Sequence, residues 1–261
     1  MPAVRRRLRL TLAYDGSAFA GFALQPGQRT VSGTLAEAIG RVVGGEVRLT
    51  CAGRTDAGVH AWGQVVHVDV PEMVGSRSPG RPLEPARLAK SCNSMLGTEV
   101  VVRECAWAEP GFDARHSALS RVYRYQVLLG PVPDPVLARQ AWHLESRLDL
   151  GALQDASGSI LGEHDFSSFC RRAPEGASLV RRVIRAGWLV EEVRAGRLYR
   201  FEVEATSFCH QMVRSLVGTL VEIGRGQRRV MEMAEVLSGR DRVLAASPAP
   251  PHGLCLWEVR Y

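Results

Sequence analysis

Cys51-Ala-Gly-Arg-Thr-Asp-Ala-Gly-Val-His-Ala61 is the stretch around which the rest of the chain is organised. It has neither the period of a helix nor the alternation of a strand. Gly53 and Gly58 bracket one acid, Asp56, with an arginine, Arg54, two places before it and a histidine, His60, four after. Glycines at both ends let the backbone turn tightly and come close to a ligand. On either side, Glu46-Val-Arg-Leu-Thr50 and Gly63-Gln-Val-Val-His-Val-Asp-Val70 alternate like strands. The stretch is therefore expected to be a loop between two strands, where a rigid scaffold can hold a reactive group. Pattern alone leaves two readings open: a reactive acid beside an arginine, or an ordinary turn with a capping aspartate.

Before the loop, Arg5–Tyr14 sets Leu8, Leu10 and Leu12 against polar neighbours, a half-buried strand closed by Asp15-Gly16. A Gly-, Pro- and aromatic-rich loop follows, and Leu35, Ile39, Val42 and Val43 then recur at helical spacing. Ser32 or Thr34 is the expected cap, and Gly44-Gly45 the stop. After the Asp56 loop, Gly75–Pro82 reads as a mobile surface loop whose Arg77 and Arg81 could touch phosphates, a solvated insertion being the simpler reading. Residues 85–95 read as a helix and 99–106 as a strand. The order is strand–helix–strand–strand–helix–strand, the ferredoxin-like plan.

From Phe112 the plan repeats. Arg121–Leu129 is an expected strand, 148–157 a short helix and Gly162–Phe169 a loop. Strands over 180–193 and 197–206, helices over 211–223 and 230–237, and a last strand over 254–259 complete it. The expectation is an α/β (α+β) chain in two halves, 1–110 and 111–261, with a large, mainly antiparallel sheet, helices on one face and a central cleft. The duplication rests on element order, with no strong residue-level repeat.

The chain has 261 residues, 46% hydrophobic and 23% charged, which reads as globular rather than disordered. A net charge of +6 permits a polyanionic partner without requiring one. Lys90 is the lone lysine, so nearly all the positive charge sits on planar guanidinium forks. The six cysteines include no C-x-x-C pair and read as buried thiols in a reducing compartment. The seven histidines make no H-E-x-x-H and no cluster with cysteine, so no metal site is expected. No run reaches membrane-spanning length and no signal-peptide core is present at the N-terminus. A cytoplasmic location is the expectation.

Gly53-Arg-Thr-Asp-Ala-Gly-Val-His60 resembles the active-site loop of the tRNA pseudouridine synthase A family. The resemblance extends, in the family's order, through Tyr14-Asp-Gly, Gly21-Phe22 with Gln25-Pro26, Thr30-Val31 and Phe112-Asp-Ala-Arg-His-Ser-Ala118. It continues through Arg121-Val-Tyr-Arg-Tyr125, His164-Asp-Phe-Ser167, His210-Gln-Met-Val-Arg214 and Ala249-Pro-Pro-His-Gly-Leu254. These matches run from about Leu8 to Val259. Ser32, Ala36 and Gly97 depart from the family's usual residues, outside the motifs that would carry chemistry.

The resemblance implies a pseudouridine synthase fold. It also implies a cofactor-free isomerase that converts uridine to pseudouridine in the anticodon stem-loop of tRNA, working as a homodimer. The base is cut from C1′ at N1, rotated and rejoined through C5. That needs a nucleophile, an acceptor for the C5 proton and a closed pocket. The resemblance implies Asp56 as the nucleophile, since a carboxylate can attack and leave, or as an aid to glycal formation. It implies Arg214 as the charge partner and Tyr123 as the residue stacked on the base. A free phenol titrates near about 10, so a base role for Tyr123 needs a charged neighbour or a water. Arg54 would hold or replace the flipped-out nucleotide, Arg115 would bind backbone phosphate and Leu254 would pack on the base. His60 reads as ordering its own loop. Arg5, Arg6 and Arg7 read as a solvated basic run that could meet phosphates. The alternatives are a non-catalytic tRNA-binding or folding module and, from motifs alone, an Asp-dependent hydrolase. The hydrolase lacks a second acid, a metal cluster and a phosphate loop.

Overall fold

A computed structural model describes residues 5–74, 80–171, 176 and 178–261. The chain divides into two compact units, residues 1–119 with 256–261, and residues 120–255.

Unit 1 begins with β1 (Arg5–Tyr14), α1 (Val31–Val43) and β2 (Leu49–Cys51). It continues through β3 (His60–Pro71), the short pair β4 (Met73–Val74) and β5 (Arg81–Pro82), α2 (Pro85–Leu96) and β6 (Val100–Trp107). β1 lies between β6 and β3, antiparallel to both, and β2 pairs with β3 at Val66–Val68. This is the expected ferredoxin-like order, with β2 cut short because only three residues find partners. Leu8, Leu10 and Leu12 are fully buried, each side chain contributing about 1.5–3 kcal/mol by leaving water. α1 is capped by Thr30 rather than Ser32 or Thr34: its Oγ accepts the Gly33 N–H at 3.2 Å. The pairing of β1 with β6 slips between Thr11 and Leu12, leaving Arg103 as the extra residue. Such a bulge disrupts the ladder locally. Asn93 on α2 bonds both backbone groups of Val102 beside it, at 2.9 and 2.7 Å. Residues 75–79, with Arg77, lie outside the described residues; Arg81 is exposed and lies 4.0 Å from Glu84.

Unit 2 contains β7 (Ser120–Leu129), β8 (Trp142–Leu144), α3 (Leu150–Gly158), β9 (Gly162–Asp165), β10 (Val180–Val193) and β11 (Gly196–Ala205). α4 (Met212–Gly224) and α5 (Glu232–Gly239) follow. The strand order is β7-β11-β10-β9, all antiparallel, and β8 adds a parallel pair on β7. The expected 162–169 loop is in part β9, because Gly162–Asp165 pairs with Val180–Val183. α4 is buried almost all round, with Met212, Leu216, Val217 and Leu220 inaccessible to solvent, as its apolar composition requires.

β12 (Leu254–Arg260) ends the chain, and its residues from Leu256 onward belong to unit 1 beside β3. Trp257 stacks on Trp62 with centroids 5.8 Å apart, and Tyr261 donates to the Ala114 carbonyl at 2.8 Å. The mixed, mainly antiparallel α/β character expected from the sequence holds in both units. The cysteine expectation does not: Cys170 and Cys209 form a disulfide, with Cα atoms 5.8 Å apart. They meet because Arg171 N–H donates to the His210 carbonyl at 2.9 Å, joining the two flanking segments. Of the other four, Cys92 is buried while Cys51, Cys105 and Cys255 are partly exposed. No helix among the described residues is long and apolar enough to cross a membrane.

Candidate active site

The loop between β2 and β3 mixes buried and exposed positions. Ala52, Thr55 and Val59 point inward, Arg54 is exposed and Asp56 is half-buried. The inward residues fix the outward ones. Tyr14 at the end of β1 shares a hydrogen bond with the Thr55 hydroxyl at 2.8 Å. Gln64, fully buried on β3, donates to the Gly53 carbonyl at 2.6 Å. Phe22 N–H donates to the Thr55 carbonyl at 3.0 Å. Gly21 reaches this contact at φ 101°, a conformation that favours glycine, and a Cβ there would sit 3.0 Å from the Thr55 oxygen. The chain just before Asp56 is thus held from three segments: the end of β1, β3 and the loop at Phe22.

His60 accepts the Gly16 N–H at Nδ1 over 3.1 Å. That ties the loop's exit to the turn after β1, which is the ordering role expected of it. Arg54 and Arg115 both act electrostatically on Cys51, whose thiol is pushed up to about 11 by burial, against the opposing pull of the two guanidinium groups. Both arginines are exposed.

In unit 2, Tyr123 lies on the face of β7 that it shares with Arg121 and Tyr125, as alternation predicts. It is 7% exposed, and the Phe208 ring meets it edge-on at 5.0 Å. Tyr125 is fully buried and donates to the Pro250 carbonyl at 2.8 Å. Burial pushes its phenol up, and Arg214 pulls the other way. Arg214, on the first turn of α4, is half-buried. Its Nε donates to the Ala249 carbonyl at 2.7 Å. Gly253 packs so closely on the Tyr125 ring that a Cβ would lie 2.6 Å from it, and the buried Leu254 follows.

Asp56, Arg54 and Arg115 thus belong to unit 1, and Tyr123, Arg214 and Leu254 to unit 2. Sequence reasoning passed over Thr55, Gln64 and Phe208. Tyr14 and Gln64 are buried polar residues on strands, a signal in principle, but which oxygens they meet depends on folding. Among the described residues, no three His, Cys, Asp or Glu side chains are grouped to hold a metal.

A family model described as tRNA pseudouridine synthase matches residues 156–261. A tRNA pseudouridine synthase A from Frankia casuarinae is 47% identical over 259 residues, covering 98% of this chain and 89% of that protein. The protein of the same name from Mycobacterium leprae is 43% identical, with 98% and 89% covered. That from Shouchella clausii is 40% identical, with 98% and 93% covered.

Proposed function

Because this chain belongs to the tRNA pseudouridine synthase A family, we propose that it isomerises uridine to pseudouridine in the anticodon stem-loop of tRNA. The observation that carries this reading is the bracing of Asp56. A half-exposed carboxylate stands on a loop fixed by Tyr14, Gln64 and Phe22.

Asp56 acts on a uridine flipped out of its stack, either attacking the sugar or assisting glycal formation. The N1–C1′ bond breaks, the base turns, and C5 forms the new bond to C1′. C5 gives up its proton and N1 gains one, so the reaction is balanced without redox chemistry. Tyr123 stacks on the base and, through a charged neighbour or a water, receives the C5 proton. Arg214 supplies positive charge as a fixed fork. Arg54 occupies or guards the space the base vacates. Arg115 binds backbone phosphate, and Leu254 gives the base an apolar wall. The protein works as a homodimer in the cytoplasm.

The test uses tRNA transcripts tritiated at uridine C5. Wild-type protein releases tritium and leaves pseudouridine in the anticodon stem-loop. Asp56→Ala binds the same RNA and releases none. Tritium release by that variant would sink the assignment of Asp56; no release by the wild type on any anticodon stem-loop would sink the activity.

A further inference from the structure

Arg115 sits on a short turn whose backbone is held polar group by polar group. Asp113 Oδ1 accepts from Arg115 N–H and His116 N–H, both at 2.8 Å. Asp113 N–H donates to Ser117 Oγ at 3.0 Å. The Phe112 carbonyl accepts from Arg7 at 2.7 Å. The peptide groups of Ala114, the residue before Arg115, are pinned at both ends. Its carbonyl accepts from Tyr261, and its N–H donates to Nδ1 of His67 at 2.9 Å.

His67 lies in mid β3, 6% exposed, and takes no part in the chemistry above. As the acceptor at Nδ1, its neutral ring carries the proton on Nε2, which lies 3.9 Å from Asp113 Oδ2. The Phe112 ring meets it edge-on. Ala114 is fully buried, so without His67 its N–H loses its partner where water does not reach, a costly state that the turn would escape by moving.

We propose that His67 is a positioning residue for substrate binding: by accepting the Ala114 N–H it aims Arg115 at the phosphate backbone of the RNA. The proposal rests on the assignment of Arg115 to that backbone. Asparagine places a side-chain oxygen close to where Nδ1 stands, so His67→Asn keeps the acceptor while His67→Ala removes it.

The experiment measures KM and kcat on an anticodon stem-loop transcript for the whole protein. The variants are His67→Ala, His67→Asn, Arg115→Ala and the double variant His67→Ala/Arg115→Ala, each with its melting temperature. Arg115→Ala should raise KM about tenfold, the scale of one charge-assisted hydrogen bond. His67→Ala should raise KM by a comparable factor with kcat within about twofold. The double variant should be no worse than Arg115→Ala, since a misplaced side chain that is absent cannot be lost again. His67→Asn should restore most of the wild-type KM. If Arg115→Ala raises KM but His67→Ala does not, or if the two effects multiply, the positioning role is wrong and the Arg115 assignment stands. If Arg115→Ala leaves KM unchanged, the assignment fails and the inference with it. A fall in kcat with constant KM in a His67→Ala protein of normal melting temperature would also overturn it.

Discussion

Arg214 and Ala249 clasp one another through two hydrogen bonds: the Arg214 Nε–H donates to the Ala249 carbonyl at 2.7 Å, and the Ala249 N–H donates to the Arg214 carbonyl at 2.9 Å. The guanidinium is therefore held at its Nε edge, which fixes the orientation of the whole planar group. Lysine keeps the charge but has no Nε–H of this geometry. Arg214→Lys is expected to lower kcat by ~100-fold or more, the scale of losing one preorganised electrostatic group. RNA affinity should change much less. Single-turnover tritium release on saturating transcript, beside a filter-binding isotherm, checks both halves.

Tyr14 offers a change that touches no proposed catalytic group. Its hydroxyl meets the buried hydroxyl of Thr55, the residue before Asp56. Tyr14→Phe leaves that hydroxyl short of a partner, at a cost of about 1–3 kcal/mol. Denaturant unfolding should report that loss. The turnover rate should fall more than KM rises, because the loop that carries the nucleophile loosens while the RNA-binding groups remain. An unchanged rate in a destabilised protein would mean that the Thr55 contact is for stability alone.

The Cys170–Cys209 disulfide closes a loop between residues 39 apart. On the chain-entropy account a loop of that length stabilises the native state by about 4 kcal/mol. Reduction, or Cys170→Ser with Cys209→Ser, should lower the denaturant midpoint accordingly. Phe208, next to Cys209, is the ring that meets Tyr123. The proposed cytoplasmic setting keeps thiols reduced, so the reduced protein should still turn over, with Tyr123 held by the Phe208 ring in either state. Equal midpoints with and without reductant would contradict the expected stabilisation.

His67 predicts a dependence on acidity. Burial, followed by the charge of Arg7, holds its folded pKa below 6.5, while Asp113 and Asp69 oppose them weakly. Arg9, its pair on β1, also stands alongside. Between the lowered folded value and 6.5 the unfolded chain binds the extra proton and the native chain does not. Stability therefore rises with pH through that window, is complete above it, and is lost as pH falls. Melting temperatures across that range should show the slope in wild type and a flatter one in His67→Asn.

The sequence made some elements plain and hid others for identifiable reasons. α1 was legible because Leu35, Ile39 and Val43 make a stripe that only a helix turns to one side. Its cap, Thr30, lies two and four residues ahead of Ser32 and Thr34 because all three are able caps, and only the extended backbone at Thr30 decides. β8 escaped notice because three residues carry no period, and its pairing with β7 is parallel and set by the fold. The disulfide was invisible because its cysteines have no spacing signature and meet only through the pairing of Arg171 with His210. Asp56, Arg54 and Arg115 stood out as motif residues. The residues that hold them, Thr55, Gln64 and His67, look like ordinary strand and loop positions until their hydrogen-bond partners are known.

The way unit 1 is assembled from two pieces of chain has a bearing on its biosynthesis. Residues 256–261 bring most of β12 to a body otherwise drawn from the first 119 residues. All of residues 120–255 must leave the ribosome before Tyr261 can reach Ala114, Arg260 can accept from Leu119 and Trp257 can cover Trp62. Contacts so distant in sequence form late. The turn bearing Arg115 is thus completed only after the whole of unit 2 has been made, so the folding of one unit waits on the synthesis of the other.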